Sequence, residues 1–243
     1  MEQQNAVFTD FSEAIERWAY EDMLQLAHHF HRLNKKKAQY ERTSNFVMNK
    51  ENDVPTFDSI RASMKRLRIY MALDANDKEK FTFFPILEVQ TDDGKTHYFK
   101  LYAVEGVRSS FQPLEVVPKL FKDIIAKNWD VIDLNLIDDL FVATKKNEHN
   151  FDEVVRVKYY EVKKEMITNV IQELPKIKGI TLYSGIDMNK FSDKTQISFT
   201  PVLGFQFDEP EDTDDYSFGL KSIMEFTKGE VFLEYSRPCP PTC

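Results

Sequence analysis

The sequence contains one succession of short motifs twice, and this internal repeat constrains the fold more than any other feature. FFPILEVQTDD (83–93) returns as FTPVLGFQFDE (199–209), and YMALD (70–74) returns as YSGID (183–187). FSEAIERW (11–18) returns as FKDIIAKNW (121–129), which matches the only two tryptophans of the chain. The blocks keep their order, and their spacing grows only from 110 residues (Phe11 to Phe121) to 116 residues (Pro85 to Pro201). This pattern predicts a tandem duplication.

Each copy is predicted to be an α–β–α–β–β–β unit. Apolar residues at helical spacing from Phe11 to Leu33, and again from Phe121 to Ile137, indicate the first helix of each unit. A second helix is expected at about 57–66 and 162–174, followed in each unit by three strands. The fold class is therefore α+β, with helices on one face of antiparallel sheets and a pseudo-two-fold relation between the units. We expect the first repeat unit at 1–112 and the second, with the C-terminal tail, at 113–243.

Two local patterns add details to this outline. Pro85 and Pro201 lie inside predicted strands and indicate an edge position or a bulge, because proline cannot donate to a ladder. The basic stretch RLNKKKAQYER (32–42) is interpreted as a solvated helical face, with an RNA or lipid headgroup contact as the alternative.

Composition limits the classes of partner. A net charge of −8 and a pI near 5.3 argue against nucleic acid as a partner. No stretch approaches eighteen uninterrupted apolar residues, and the N-terminal segment MEQQNAVFTD lacks the pattern of a signal peptide, so we expect no membrane span and a cytoplasmic location. The two cysteines lie in the last five residues, so the fold is not expected to depend on disulfides.

The polar residues that the repeat preserves are the first candidates for catalysis. Tyr70 matches Tyr183, Asp74 matches Asp187, and Arg68 lies just before the first pair. Packing and turn formation explain a strand tyrosine followed by an aspartate, and an acid/base pair is the competing interpretation. Because residues i and i+4 of a strand are about 13 Å apart, such a pair cannot act within one unit, so a catalytic site would have to combine both units.

Candidate metal or thiol groups occur at two places. HHFH (28–31) places His28 and His31 three residues apart on the predicted first helix, where they are interpreted as surface residues or as two ligands of a metal. The terminal RPCPPTC holds Cys239 and Cys243 in a C-x-x-x-C pattern that differs from the C-x-x-C of redox sites and from the prenylation box. A structural tail is the main interpretation, and a metal site with either histidine is the alternative. The acidic segment DEPEDTDD (208–215) is interpreted as a solvated hairpin loop.

RLRIYMALD (66–74), the apolar strand after it and the CPPTC terminus resemble features of a group of uncharacterised bacterial proteins. That group combines an R-I-Y-type strand, a following apolar strand and a C-P-P-x-C tail. The resemblance implies that one half is the basic unit and that the tail belongs to the unit before it. It implies no activity.

Three functional hypotheses follow. The sequence contains none of the glycine-rich phosphate loops, nucleophile elbows or zinc-protease motifs, and only 7 glycines, so no cofactor is expected. The first hypothesis is a non-enzymatic protein that binds a protein or small molecule in a groove between the two units, as a monomer or weak homodimer. The second is a hydrolase-like acid/base enzyme with a site assembled from both units. The third is a metal or thiol function of the tail.

Overall fold

The computed structural model describes residues 2–22, 25–36, 39–43, 45–104, 119–133, 137–187, 198–207, 230–233 and 236–239. The helices in this part of the chain are α1 (Glu2–Tyr20), α2 (Leu26–His29), α3 (Asp53–Ile60), α4 (Lys119–Val131) and α5 (Lys164–Asn169), with 3₁₀ turns at Arg61–Ser63, Asp138–Phe141 and Ile171–Glu173. The strands of the first half are β1 (His31–Asn34), β2 (Gln39–Arg42), β3 (Asn45–Met48), β4 (Met64–Leu73), β5 (Phe83–Thr91) and β6 (Thr96–Ala103). Those of the second half are β7 (Val142–Lys146), β8 (Asp152–Arg156), β9 (Tyr159–Val162), β10 (Ile177–Tyr183), β11 (Ile186–Asp187), β12 (Ser198–Phe199), β13 (Val202–Phe207), β14 (Glu230–Leu233) and β15 (Ser236–Cys239).

The predicted mixture of helices and antiparallel strands is confirmed. Nine strands form one sheet in the order β14-β13-β10-β3-β6-β5-β4-β9-β15, and every neighbouring pair is antiparallel. Three two-stranded sheets accompany it: the hairpins β1-β2 and β7-β8, and the short pair β11-β12. The joint between the predicted repeat units falls at 105–118, outside the described residues.

The large sheet is curled. Its two end strands follow each other along the chain, since β14 ends at Leu233 and β15 begins at Ser236. Three residue steps span at most about 11 Å, whereas nine strands laid flat would place the two edges about 38 Å apart. The sheet therefore rolls up until its edges meet, and β14 and β15 together act as the eighth strand of a barrel-like closure.

The two faces of the curled sheet are both covered. The inner face carries alternate residues of each strand, such as Leu67, Ile69 and Met71 of β4, which belong to one large buried cluster with residues of both halves. On the outer face, α1 covers the first half through Ala14, while α4 covers the second half through Ile125. A sheet that is buried on both sides explains the nearly continuous apolar sequence of β5 and β13.

Aromatic rings fill one end of the curled sheet. Phe30 stacks on Phe141 with ring centroids 5.4 Å apart, and each ring also meets a tryptophan edge-on, Trp129 at 5.2 Å and Trp18 at 4.9 Å. Phe57 of α3 belongs to the same buried cluster, and its ring lies near those of Phe99 and Phe205.

The two halves exchange hydrogen bonds as well as apolar contacts. Trp18 Nε1 donates to the carbonyl of Val157 at 2.8 Å, and Trp129 Nε1 donates to the carbonyl of Thr43 at 3.0 Å. The Arg42 guanidinium donates to two carbonyls at the end of α4, while the Arg156 guanidinium donates to two carbonyls at the end of α1. The two partly buried arginines satisfy carbonyl groups that a helix end leaves without partners.

Several local predictions are wrong. The predicted first helix ends at Tyr20, and the basic stretch at 32–42 forms the β1-β2 hairpin, in which Arg32 and Asn34 both contact Glu41 across the strands. The second helix of each unit is shorter than expected. Pro85 lies in an inner strand, not at an edge. It pairs with Met71, whose N–H donates to the carbonyl of Lys158 just before β9, and the β5-β6 ladder begins only at Ile86. The sheet therefore needs no N–H from Pro85.

No helix among the described residues is both long and apolar enough to cross a bilayer.

Candidate ligand-binding site

Arg68 and Tyr70, two of the predicted catalytic candidates, belong to a polar group on the outer face of the sheet. We call it the Arg–Glu–Tyr cluster, and it comprises Arg66, Arg68, Tyr70, Glu88, Tyr98, Tyr159 and Glu161. The central carboxylate is Glu88, only 4% exposed, which accepts hydrogen bonds from Arg66 at 3.2 Å and from the Tyr98 hydroxyl at 3.3 Å. The Arg68 guanidinium donates to Glu161 at 2.6 Å and lies 4.5 Å from the ring centroid of Tyr159.

The electrostatics of this cluster suit structure better than proton transfer. Burial and the Glu88 carboxylate raise the pKa of Tyr70, against an opposing effect of Arg68. The same two causes raise the pKa of Tyr98 far above its usual value. Both hydroxyls are therefore neutral near pH 7 and too weakly acidic to serve as a poised acid/base pair. The charges compensate one another across four neighbouring strands, and among the buried side-chain atoms of the cluster only Arg66 Nε has no hydrogen-bond partner.

The structure separates the other catalytic candidates from this cluster. Asp74 follows β4 and forms an ion pair with Lys100 at 3.3 Å. Tyr183 packs against Phe232 on the outer face of β10, and Asp187 pairs with Ser198 in β11-β12. Three strands lie between β4 and β10 in the sheet order, which corresponds to about 19 Å along the curved sheet. Tyr70 and Tyr183 thus face outward on opposite sides and do not share a cleft.

The histidine candidates occupy different elements from those predicted. His28 lies on α2 and is exposed, whereas His31 begins β1 and is 8% exposed. His31 Nδ1 donates to the Ala27 carbonyl at 2.6 Å, and His31 Nε2 accepts from Arg42 Nε at 2.9 Å. Both ring nitrogens are therefore used, which leaves no lone pair for a metal. Burial is the main cause that lowers the pKa of His31, and Arg42 contributes to the same shift.

The tail candidates are only partly described. Cys239 ends β15, where its backbone pairs with Tyr159. Cys243 and the acidic segment at 208–215 lie outside the described residues. Across the described ranges, no group of three or more histidine, cysteine, aspartate or glutamate side chains is arranged to hold a metal ion.

A pocket of about 190 Å³ lies beside α2 and brings His28 and His31 together with residues that the sequence analysis did not select. Its wall comprises Gln25, His28, His31, Tyr40, Asn76 and Lys78, and we call it the α2 pocket. Three segments form it: α2 with the residue before it, the β1-β2 hairpin, and the loop between β4 and β5.

Backbone contacts fix these three segments relative to one another. The N–H of Leu33 in β1 donates to the carbonyl of Lys78 at 2.7 Å, and the N–H of Thr82 donates to the carbonyl of His29 at 3.2 Å. The buried imidazole of His29 lies between the Thr82 hydroxyl, at 2.7 Å from Nδ1, and the Glu21 carboxylate, at 3.3 Å from Nε2. The pocket wall is therefore held in shape by groups behind it.

The polar atoms that face the α2 pocket are mostly unused. The side chains of Gln25, His28, Tyr40, Asn76 and Lys78 have no hydrogen-bond or ion-pair partner in the part of the chain that the structure describes. Together they offer amide, imidazole, hydroxyl and ammonium groups, which suits binding of a small polar molecule. Tyr40 is 62% exposed, so this side of the pocket is open to solvent.

The expected groove between the two halves has no counterpart among the described residues. Strands of the first half pair directly with strands of the second, β3 with β10 and β4 with β9. The main buried cluster runs without interruption through both halves. A continuous packed contact of this kind counts against a ligand groove at that place.

Comparison with protein-family models, with curated proteins and with solved structures found no match to this chain.

Proposed function

We propose that this chain is a non-enzymatic ligand-binding protein, built from two copies of one unit, that takes a small polar molecule in the α2 pocket. The observation that carries the proposal is the gathering of five polar side chains without partners in the described chain around one pocket. Unused donors and acceptors at a fixed site are the usual means of orienting a ligand. We further propose, from composition, that the protein acts in the cytoplasm as a monomer or weak homodimer.

The duplication is supported by the order of elements and by strand register. Each half runs helix, hairpin, strand, short helix with a 3₁₀ turn, and then three further strands in the sheet, with β14 and β15 counted as one. In the first half Tyr70 pairs with Tyr159 and with Ile86, and in the second half Tyr183 pairs with Asn45 and with Val202. These pairings follow the spacing of the sequence repeat.

The contacts between the halves support a pseudo-two-fold relation in the same way. The bond from Trp18 to Val157 is matched by the bond from Trp129 to Thr43, and the arginine contacts to the ends of α1 and α4 are matched likewise. The stacked rings of Phe30 and Phe141 would lie at the axis, since the Thr43 and Val157 amides donate to the carbonyls of these two residues.

The duplication makes the second half an internal reference for the α2 pocket. With Phe30 matched to Phe141, the pocket residues His28 and His31 correspond to Asp139 and Val142. The unit therefore folds without a polar residue at the position of His31, whereas the position of His28 is polar in both halves.

The two other hypotheses have less support. An acid/base site assembled from both halves is disfavoured by the outward, opposite placement of Tyr70 and Tyr183. A metal or thiol function of Cys239 and Cys243 remains a proposal that metal analysis of reduced protein would test.

The proposal is tested by screening the full chain against small cationic, anionic and neutral metabolites by thermal shift. Hits are then measured by calorimetry, and NMR follows whether the compound is recovered unchanged after long incubation. We expect at least one compound to raise Tm and to remain unconverted, and we expect His28→Ala to weaken its binding. The matched control is His149→Ala, an exposed histidine in the turn of the second hairpin. Failure of every compound, equal weakening by both variants, or conversion of the compound would overturn the proposal.

A further inference from the structure

We propose that the α2 pocket selects a compact anion, whose carboxylate or phosphate oxygens are bound by the Lys78 ammonium and the His28 imidazole. This inference rests on the proposed ligand-binding function and names the chemical class of the ligand.

The charges on the pocket wall have one sign. None of the six residues that line it is acidic, and one of them, Lys78, carries a full positive charge. A cationic ligand would find only amide and hydroxyl oxygens there, whereas an anion would find a cation and several N–H and O–H donors. The composition of the wall therefore favours anions.

The acidic neighbours of Lys78 are already neutralised by other lysines. Asp77 forms an ion pair with Lys80 at 3.2 Å, and Glu79 forms one with Lys35. The Lys78 ammonium itself has no carboxylate partner within the described residues. The net charge of the chain is −8. Lys78 is nevertheless a local positive site, because it has no ion-pair partner among the described residues while Asp77 and Glu79 on either side of it are paired.

A second positive group lies behind the wall. The guanidinium of Arg42 contacts the rear of the His31 ring, with Nε 2.9 Å from Nε2. Burial lowers the pKa of Arg42, partly offset by Asp130 and Asp133, and the group remains a cation. Its donors are used by His31 and by the end of α4, so it does not contact a ligand directly, and Asp130 and Asp133 oppose part of its positive potential.

The size of the pocket limits the anion. A volume of about 190 Å³ is below the range of roughly 300–1,000 Å³ usual for drug-sized ligands. It suits a short dicarboxylate, a small phosphate ester or inorganic phosphate, and it is too small to enclose a nucleotide.

The deciding experiment compares succinate with succinamide, its neutral counterpart of the same shape, together with inorganic phosphate, by isothermal titration of the full chain at low salt. We expect succinate or phosphate to bind at least about tenfold more tightly than succinamide, since a charge-assisted contact contributes about 1.4 kcal/mol or more. Lys78→Gln should weaken that binding by about tenfold. Lys65→Gln removes the same charge from an exposed lysine of β4, outside the pocket wall, and should change the affinity by less than about twofold.

Three results would overturn the inference: succinamide binds as tightly as succinate, Lys78→Gln and Lys65→Gln have equal effects, or neither succinate nor phosphate binds. If any of these occurs while a neutral compound from the thermal-shift screen still depends on His28, the anion class is wrong and the proposed ligand-binding function stands. If no compound of any charge binds, both are wrong.

Discussion

Replacing Trp129 by Phe tests whether the reciprocal tryptophan contacts hold the two halves together. The indole is fully buried, donates to the Thr43 carbonyl at 3.0 Å and packs edge-on against Phe30 and Phe199. Removing the N–H leaves that carbonyl without this donor, at a cost of about 1–3 kcal/mol. The smaller ring leaves roughly 40 Å³ unfilled, which costs about 1 kcal/mol more. The free energy of unfolding should therefore fall by about 2–4 kcal/mol, and Tm by about 4–16 °C for a chain of this size.

A second variant tests the reciprocal contact between the halves. Trp18 makes the equivalent contact with Val157 at 2.8 Å, so Trp18→Phe should destabilise the protein by an amount within about 1 kcal/mol of the first variant. Both are measured by denaturant unfolding followed by far-UV circular dichroism, with the exposed Tyr20→Phe as the control. A loss below about 0.5 kcal/mol for either tryptophan would refute the reasoning, because a buried indole that bridges the halves cannot be removed at so small a cost.

Three further predictions follow from single contacts. Arg156→Ala removes hydrogen bonds to two carbonyls at the end of α1 and should lower the free energy of unfolding by about 2–4 kcal/mol in urea titration; an unchanged midpoint would contradict the capping role. Glu88→Gln removes the buried carboxylate that Arg66 and Arg68 share and should cost about 2 kcal/mol or more by the same measurement, so a neutral or stabilising effect would show that this carboxylate contributes nothing. Because burial lowers the pKa of His31 below 6.5, the unfolded chain binds the proton more readily and stability falls as pH drops below about 6.5. His31→Gln should flatten that slope by up to about 1.4 kcal/mol per pH unit, and equal slopes in both proteins would refute the assignment.

The internal repeat was the most informative feature of the sequence, because its matched blocks relate residues that are far apart along the chain. The α+β class and the antiparallel strands are confirmed. Tyr70 of β4 and Tyr183 of β10 each lie on the outer face of the sheet, Tyr70 beside α1 and Tyr183 beside α4. Local periodicity alone would not have related two residues that far apart in the sequence.

Local patterns failed where a tertiary contact decided the structure. The run at 32–42 has helix-forming residues, yet it forms a hairpin because Arg32 and Asn34 meet Glu41 and because Leu33 bonds to the β4-β5 loop. The α2 pocket depends on that hairpin, so its wall could not be assembled from the sequence. Tyr40 and Lys78 carried no signal of their own, and only the HHFH motif pointed to the region.

The contrast between the two polar regions of the first half decides which of them is a candidate for binding. The Arg–Glu–Tyr cluster has no counterpart among the described residues of the second half: Arg68 faces Glu88 across β4 and β5, where the matching pair is Thr181 and Gly204. In the Arg–Glu–Tyr cluster the charges bind one another, so it serves the sheet even though the other half does without it. In the α2 pocket the side chains of Gln25, His28, Tyr40, Asn76 and Lys78 have no partner among the described residues, which is the observation on which the proposed binding rests. The lack of partners within the described part of the chain distinguishes the α2 pocket from the Arg–Glu–Tyr cluster and makes it the candidate for binding.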